Sequence, residues 1–134
     1  MGSFTIDESK WPLVEIAIKG EFGLSDTEQL CSRLLVLGQR QERFINLFDM
    51  RDCITVSADA RRYFSQHAKS NQKLFGLFLI SAICIIESRL IRGVLTAMGW
   101  LFPFPHPVRP VSTPSAAYEL ANDFFSKEGI RLNQ

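Results

Sequence analysis

Apolar and polar residues alternate with a period of two near the start of the chain. In LVEIAIKG, one face of an extended segment would carry Val14, Ile16 and Ile18, and the other would carry Leu13, Glu15 and Ala17. This period is typical of a β-strand. A second strand is predicted over FTID. The turn around Ser9 and Lys10 separates the two, so we expect them to pair as a hairpin.

The pattern changes to a helical period in SDTEQLCSRLLVLGQ. Leu30, Leu34 and Leu37 recur at i, i+4 and i+7 and form one apolar stripe. Ser25 is followed three residues later by Glu28, which is the spacing of a capping box and predicts that the helix begins at Ser25. The mostly apolar FINLFDM that follows predicts a strand.

A second helix is predicted over SADARRYFSQHAKSNQ, residues 57–72. Ser57 stands where a helix N-cap is expected, because serine oxygen accepts an unpaired amide hydrogen of the first turn. Ala60, Phe64 and Ala68 would face the core, whereas the charged residues between them would face water.

The most apolar stretch of the chain, residues 74–104, raises the question of a membrane span. Crossing a bilayer takes about 20 consecutive apolar residues, and here the apolar run meets Glu87, Ser88 and Arg89. The sequence instead predicts a buried strand over residues 77–86, with one long buried helix as the alternative. Ser88 would then cap a helix whose buried face carries Leu90, Ile91, Val94, Leu95 and Met98.

The last third of the chain is punctuated by prolines. PVRPV predicts a short strand at the edge of a sheet, since proline cannot donate to a ladder. Thr113 and Pro114 then mark the start of a final helix. The predicted order β-β-α-β-α-β-α-β-α defines an α/β fold, with a mostly parallel sheet of about five strands packed by about four helices.

Composition fits this fold. The chain has 134 residues, of which 46% are hydrophobic and 22% charged, with a net charge of +1. We expect a single domain over residues 1–134. No basic cluster is denser than Arg61 and Arg62, which argues against nucleic-acid binding. The three cysteines lack CxxC spacing and no signal region is evident, which favours the cytoplasm.

Several stretches have a sequence pattern similar to that of a known family: PLVEIAIKG, NLFDMRD, SADARRYF, IIESRLIRG and VSTPSAAYELANDFF. From Phe4 to Phe125 this pattern resembles the STAS (anti-sigma-factor antagonist) family, and in particular the SpoIIAA-like bacterial proteins. The resemblance implies a small, non-enzymatic signalling module without a cofactor. It also implies contact with a kinase-like partner through the loop after the third strand and the start of the next helix.

In that family a serine at this helix start is phosphorylated to break the contact, because a phosphate adds about two negative charges there. The corresponding region of this chain reads DMRDCITVSADA, without the glycine and the paired serines of the usual acceptor stretch. The candidate phosphoacceptors are Ser57 by helix position and Thr55 by loop position. The alternative is that Ser57 only caps the helix.

Other candidate chemistry is sparse. Asp49 lies at the carboxyl end of a predicted strand, where open α/β sheets bind ligands, and with Arg51 and Arg61 it forms a candidate ligand or anion site. A structural salt bridge or turn cap is the alternative for Asp49. Cys53, before a helix start, is a candidate reactive thiol. No His, Cys, Asp or Glu spacing indicates a metal site, and neither GxxxxGK nor GxSxG occurs.

The stretch WLFPFPHP places Trp100, Phe102 and Phe104 among prolines, which makes them a candidate partner surface. Alternatively, these rings cover the open end of the sheet. The sequence therefore favours a non-enzymatic regulatory module of bacterial signalling that binds a protein partner and forms a homodimer through an apolar patch. The alternative is a small-molecule or lipid carrier with an apolar pocket beside the central strand.

Overall fold

The computed structural model of the protein describes residues 1–93 and 108–130. Six strands and five helices lie in these ranges: β1 (Ser3–Asp7), β2 (Leu13–Phe22), α1 (Leu24–Gly38), β3 (Phe44–Asp49), β4 (Cys53–Val56), α2 (Ala58–Ser70), α3 (Gln72–Phe78), β5 (Leu79–Ile85), α4, which begins at residue 89 and is described as far as residue 93, β6 (Val108–Val111) and α5 (Pro114–Lys127).

The strands form one sheet in the order β1-β2-β3-β5-β6, in which β1 is antiparallel to β2 and the other neighbours are parallel. The predicted hairpin, the mostly parallel sheet and the edge position of the VRPV strand are confirmed. The long strand β2 has two partners on one side, because residues 13–17 pair with β3 and residues 20–22 pair with β4. Gly20, with φ of +73°, lies at a register shift within the β2–β4 pairing, between Gly20 and Glu21.

The core has two parts, one on each face of the sheet. The larger part joins the sheet to α1, α2, α3 and α4, with Leu30, Leu34 and Leu37 of α1 all buried as predicted. The smaller part lies under α5, where Ala117, Ala121 and Phe125 pack against β3 and β5, with Ile45, Leu47, Ile80, Ile83 and Ile85. Because side chains alternate along a strand, even-numbered residues of β3 face the larger core and odd-numbered residues face α5.

Helix starts follow local capping chemistry. The predicted caps are confirmed for α2, α4 and α5, in which Ser57, Ser88 and Thr113 accept a first-turn amide at 3.3, 3.4 and 3.1 Å. For α1 the prediction was wrong, because the helix begins at Leu24 with Gly23 as N-cap. The carboxylate of Asp26 accepts the Gly23 amide at 3.0 Å, which is the role that the sequence spacing had given to Glu28.

The apolar run after α2 divides differently from the prediction. Helix α2 ends at Ser70, a short helix α3 follows, and the strand begins at Leu79 instead of Leu77. Helical spacing places Phe75 and Phe78 on the larger core, while Leu77 points away and is 65% exposed. Short apolar runs suit either structure, so the contacts of Phe75 with the core decide this boundary.

Two further predictions were incomplete or wrong. The strand β4, with the sequence CITV, was not predicted. In α4, Ile91 is fully buried as expected, but Leu90 is 66% exposed and does not belong to the buried face. The rest of that predicted face, Val94, Leu95 and Met98, lies outside the described residues. No helix among the described residues is long and apolar enough to cross a bilayer.

Candidate functional site

The segment between β3 and α2 is held to the sheet by backbone hydrogen bonds. The Met50 amide donates to the Ile85 carbonyl at 3.0 Å, and the Ser57 amide donates to the Phe22 carbonyl at 3.0 Å. Between these anchors, β4 runs parallel to the end of β2. The segment is therefore a fixed edge of the sheet, which presents its outward side chains in a defined arrangement.

This segment exposes several side chains to solvent. Ile54 is 66% exposed and Thr55 is exposed, whereas Cys53 points inward and is 6% exposed. Ser57 is half-buried, and its hydroxyl donates to the Asp59 carboxylate at 2.5 Å while it accepts the Ala60 amide. We call Ile54, Thr55, Ser57 and Asp59 the β4–α2 surface. It combines one exposed apolar side chain with polar side chains, as protein interfaces commonly do.

Both candidate phosphoacceptors lie on the β4–α2 surface. The Ser57 hydroxyl accepts the capping hydrogen bond and donates one to Asp59, so Ser57 acts as the N-cap of α2. The hydrogen bond from Ser57 is the main cause that lowers the pKa of Asp59, so this carboxylate stays charged next to the hydroxyl. A phosphate on Ser57 would therefore face like charge and would alter the local structure.

Asp49 and Arg51 are engaged with each other. Arg51 donates to the carboxylate through Nε at 2.9 Å and Nη2 at 2.7 Å, and its backbone amide donates at 3.1 Å. The Arg51 side-chain hydrogen bonds are the main cause that lowers the pKa of Asp49. A carboxyl with a lowered folded-state pKa stabilises the fold above its unfolded pKa, and this contribution is lost as the pH falls through the folded value. The geometry is that of a paired, ionised turn cap, which is poorly suited to general acid catalysis near neutral pH.

Arg61 does not join this pair. Asp49 and Arg51 line a cleft on the α5 side of the sheet, together with Glu15 and Tyr118, whose hydroxyl donates to Glu15. Arg61 instead lines a cavity on the opposite face, between the sheet and helices α1 and α2. The parity of β3 explains the separation, because Asp49 is an odd-numbered residue that faces α5. The three residues predicted together thus lie at two places.

The cavity that includes Arg61 has a volume of about 120 Å³. Its walls are almost entirely apolar: Ile18, Phe22, Leu30, Leu34, Phe48, Met50, Val56, Phe64, Phe75, Leu79, Cys84, Ile91 and Val108 contribute to them. Asn46 and His67 also line it, and the Asn46 Oδ1 and His67 Nε2 atoms are buried without a hydrogen-bond partner. Neither Asn46 nor Ile54 was predicted from the sequence as a functional residue. Asn46 could have been recognised in the sequence as a polar residue between Phe44 and Phe48 on one face of a strand.

The remaining candidates have less to support them. Burial is the main cause that raises the pKa of Cys53, and it raises the pKa of Cys31 and of Cys84 to about 12, so none of these thiols is activated. Among the residues that the structure describes, no three His, Cys, Asp or Glu side chains are grouped to hold a metal ion. The predicted partner surface of Trp100, Phe102 and Phe104 lies outside the described residues.

Comparison with solved structures defines the fold. An uncharacterised protein of the DUF3478 family with a SpoIIAA-like fold, from Shewanella loihica PV-4, superposes with a TM-score of 0.64 at 15% identity, over 90% of this chain and 95% of that one. The anti-sigma-factor antagonist SpoIIAA in its unphosphorylated form gives 0.65 at 12% identity, over 90% and 98%. An anti-sigma-factor antagonist from Mycobacterium paratuberculosis gives 0.58 at 10% identity, over 92% and 96%.

The chain therefore has the SpoIIAA-like, or STAS, fold, as the sequence resemblance implied. At these identities the similarity establishes the fold alone. No family model matches the sequence, and no curated protein is significantly similar to it.

Proposed function

We propose that this protein is a non-enzymatic regulatory module that binds a protein partner through the β4–α2 surface. The observation that carries the proposal is Ile54, an isoleucine that is two-thirds exposed on a strand anchored at both ends. Two of the solved structures with this fold are described as anti-sigma-factor antagonists, and a regulatory role by protein binding is consistent with that likeness.

The chemistry of the surface supports a protein partner. Interfaces commonly combine an apolar anchor with surrounding polar groups that fix orientation. Ile54 supplies the anchor, while Thr55, Ser57 and Asp59 supply hydrogen-bonding groups and one negative charge. We infer that the partner contributes an apolar pocket for Ile54, flanked by hydrogen-bond donors.

Replacing Ile54 by aspartate is expected to abolish partner capture, because a charge would enter a desolvated pocket. The matched control is Leu77→Asp, since Leu77 is 65% exposed, almost the same as Ile54, but lies on α3 beyond the far end of α2. Wild-type protein and both variants are immobilised and exposed to extract of cells that make the protein. Captured proteins are then quantified by mass spectrometry.

We expect at least one protein to be retained by the wild type and by Leu77→Asp, and to be reduced at least roughly tenfold on Ile54→Asp. Circular dichroism of both variants checks that they are folded. The proposal fails if Ile54→Asp captures the same proteins in the same amounts as the wild type, or if Leu77→Asp loses them equally.

We further propose that Ser57 is the regulated position of this surface. Aspartate and serine both cap helices well, whereas alanine does not. Ser57→Asp keeps a capping oxygen and should therefore lose less stability than Ser57→Ala, but it should lose partner binding, because it adds a charge beside Asp59. Ser57→Ala should lower the free energy of unfolding by about 0.5–2 kcal/mol and keep binding.

The two variants are thus expected to rank one way in stability and the opposite way in partner binding, which distinguishes a regulatory switch from a helix cap. Urea unfolding and a binding titration with the captured partner measure the two properties separately. If Ser57→Asp and Ser57→Ala bind the partner alike, Ser57 is a helix cap only.

A further inference from the structure

The apolar cavity beside the central strand contains two polar groups that make no hydrogen bond inside it. Asn46 is 3% exposed and occupies the middle of β3, opposite Val14 of β2 and Ala82 of β5. Its neighbours on the same face of the strand are Phe44 and Phe48. An apolar side chain would pack well at this position, whereas a buried polar atom without a hydrogen-bond partner lowers the stability of the fold. An asparagine here calls for an explanation other than packing.

His67 supplies the second group from α2. The Asn71 side-chain nitrogen donates to the His67 carbonyl at 2.9 Å and lies 3.4 Å from His67 Nδ1. Because that nitrogen is a donor, Nδ1 is the acceptor of the ring and Nε2 carries the hydrogen. Burial also lowers the pKa of His67, which favours the neutral ring. The cavity therefore contains an N–H donor at His67 and a carboxamide at Asn46.

These two groups restrict the chemistry of an occupant. A hydroxyl group can accept from the His67 Nε2 hydrogen and can donate to the Asn46 oxygen, so it offers the complement of both groups. If the Asn46 carboxamide instead turns its nitrogen toward the cavity, the hydroxyl oxygen can accept a hydrogen bond from that nitrogen. Apart from Thr27 and Arg61, the remaining lining residues are apolar, so most of the rest of the molecule would be hydrocarbon.

The volume restricts the size of an occupant. The cavity measures about 120 Å³, and an engineered apolar cavity of about 150 Å³ accepts benzene. A single ring or a short aliphatic chain therefore fits.

We propose that this cavity is a binding site for a small, mostly apolar molecule with one hydroxyl group, of about the size of phenol, held by Asn46 and His67. The site lies on the inner face of α2, and binding of a small molecule to the purified protein is measured without the partner. This proposal therefore stands or fails separately from the proposed function.

Phenol and toluene test the proposal because they differ in little besides the hydroxyl group. Calorimetric titration of the purified protein should show that phenol binds at least roughly tenfold more tightly than toluene, since hydrogen bonding to otherwise unpaired groups provides the difference. The variants Asn46→Leu and His67→Phe keep the approximate shape of each side chain. Each should reduce the preference for phenol to less than about threefold.

The control is Ser65→Ala. Ser65 is also buried on α2 with an unpartnered hydroxyl, but it does not line the cavity. This variant should keep the full preference for phenol. The proposal is overturned if neither compound binds, which would leave water as the only occupant. It is also overturned if phenol and toluene bind the wild type equally, or if both cavity variants keep the preference.

Discussion

Ile91→Ala is expected to lower the free energy of unfolding by about 2–5 kcal/mol, whereas Leu90→Ala should change it by less than about 0.5 kcal/mol. The two residues are neighbours at the start of α4, and both substitutions replace a four-carbon side chain by a methyl group. Ile91 is fully buried within the larger core, while Leu90 is 66% exposed. Burial alone therefore separates the two expected effects.

Urea unfolding followed by circular dichroism measures both variants. Because helix propensity favours alanine slightly at either position, the difference between the two variants reports on packing. Equal losses of stability, or a larger loss for Leu90→Ala, would mean that α4 presents another face to the sheet.

Asn46→Leu is expected to raise the free energy of unfolding by about 1–3 kcal/mol, which is unusual for a core substitution. Leucine matches the branching of asparagine, removes an oxygen that has no hydrogen-bond partner, and extends into a cavity of about 120 Å³. Natural residues that reduce stability are often kept for function. The same substitution is expected to remove the preference for a hydroxyl-bearing ligand.

The comparison variant is Asn71→Leu. Asn71 is also an asparagine and is partly buried, but its side-chain nitrogen donates to the His67 carbonyl at 2.9 Å, so leucine would remove a hydrogen bond that is made. Thermal or urea unfolding should show opposite signs for the two variants. A loss of stability in Asn46→Leu similar to that in Asn71→Leu would show that Asn46 is satisfied in the folded protein.

Hydrophobic periodicity predicted those elements whose apolar residues make one unbroken stripe. The leucines of α1 and the alternation in β2 each leave one interpretation, and both elements were found, although α1 begins at Leu24 instead of Ser25. The boundary between α3 and β5 could not be predicted. Nearly every residue of LFGLFLISAICII is apolar, so neither the helical period nor the strand period stands out. Only the packing of Phe75 against the core distinguishes a helix from the start of the strand.

The candidate site could be predicted only in part. Ser57 was found because capping has a local chemical signature. The separation of Arg61 from Asp49 depends on which face of the sheet each residue occupies, and sequence proximity does not determine this. Ile54 was missed because β4 has four residues and gives too short a pattern. That Asn46 lacks a partner is a property of its surroundings, which a single sequence does not contain.

Amide hydrogen exchange of the protein with and without its captured partner tests the central claim most directly, since it locates the contact surface without any substitution. Exchange is expected to slow in the complex at residues 53–61, which include β4 and the first turn of α2, and to stay unchanged in α3. Slower exchange confined to α3 or to α1, with none at residues 53–61, would contradict the assignment of the β4–α2 surface as the partner-binding site.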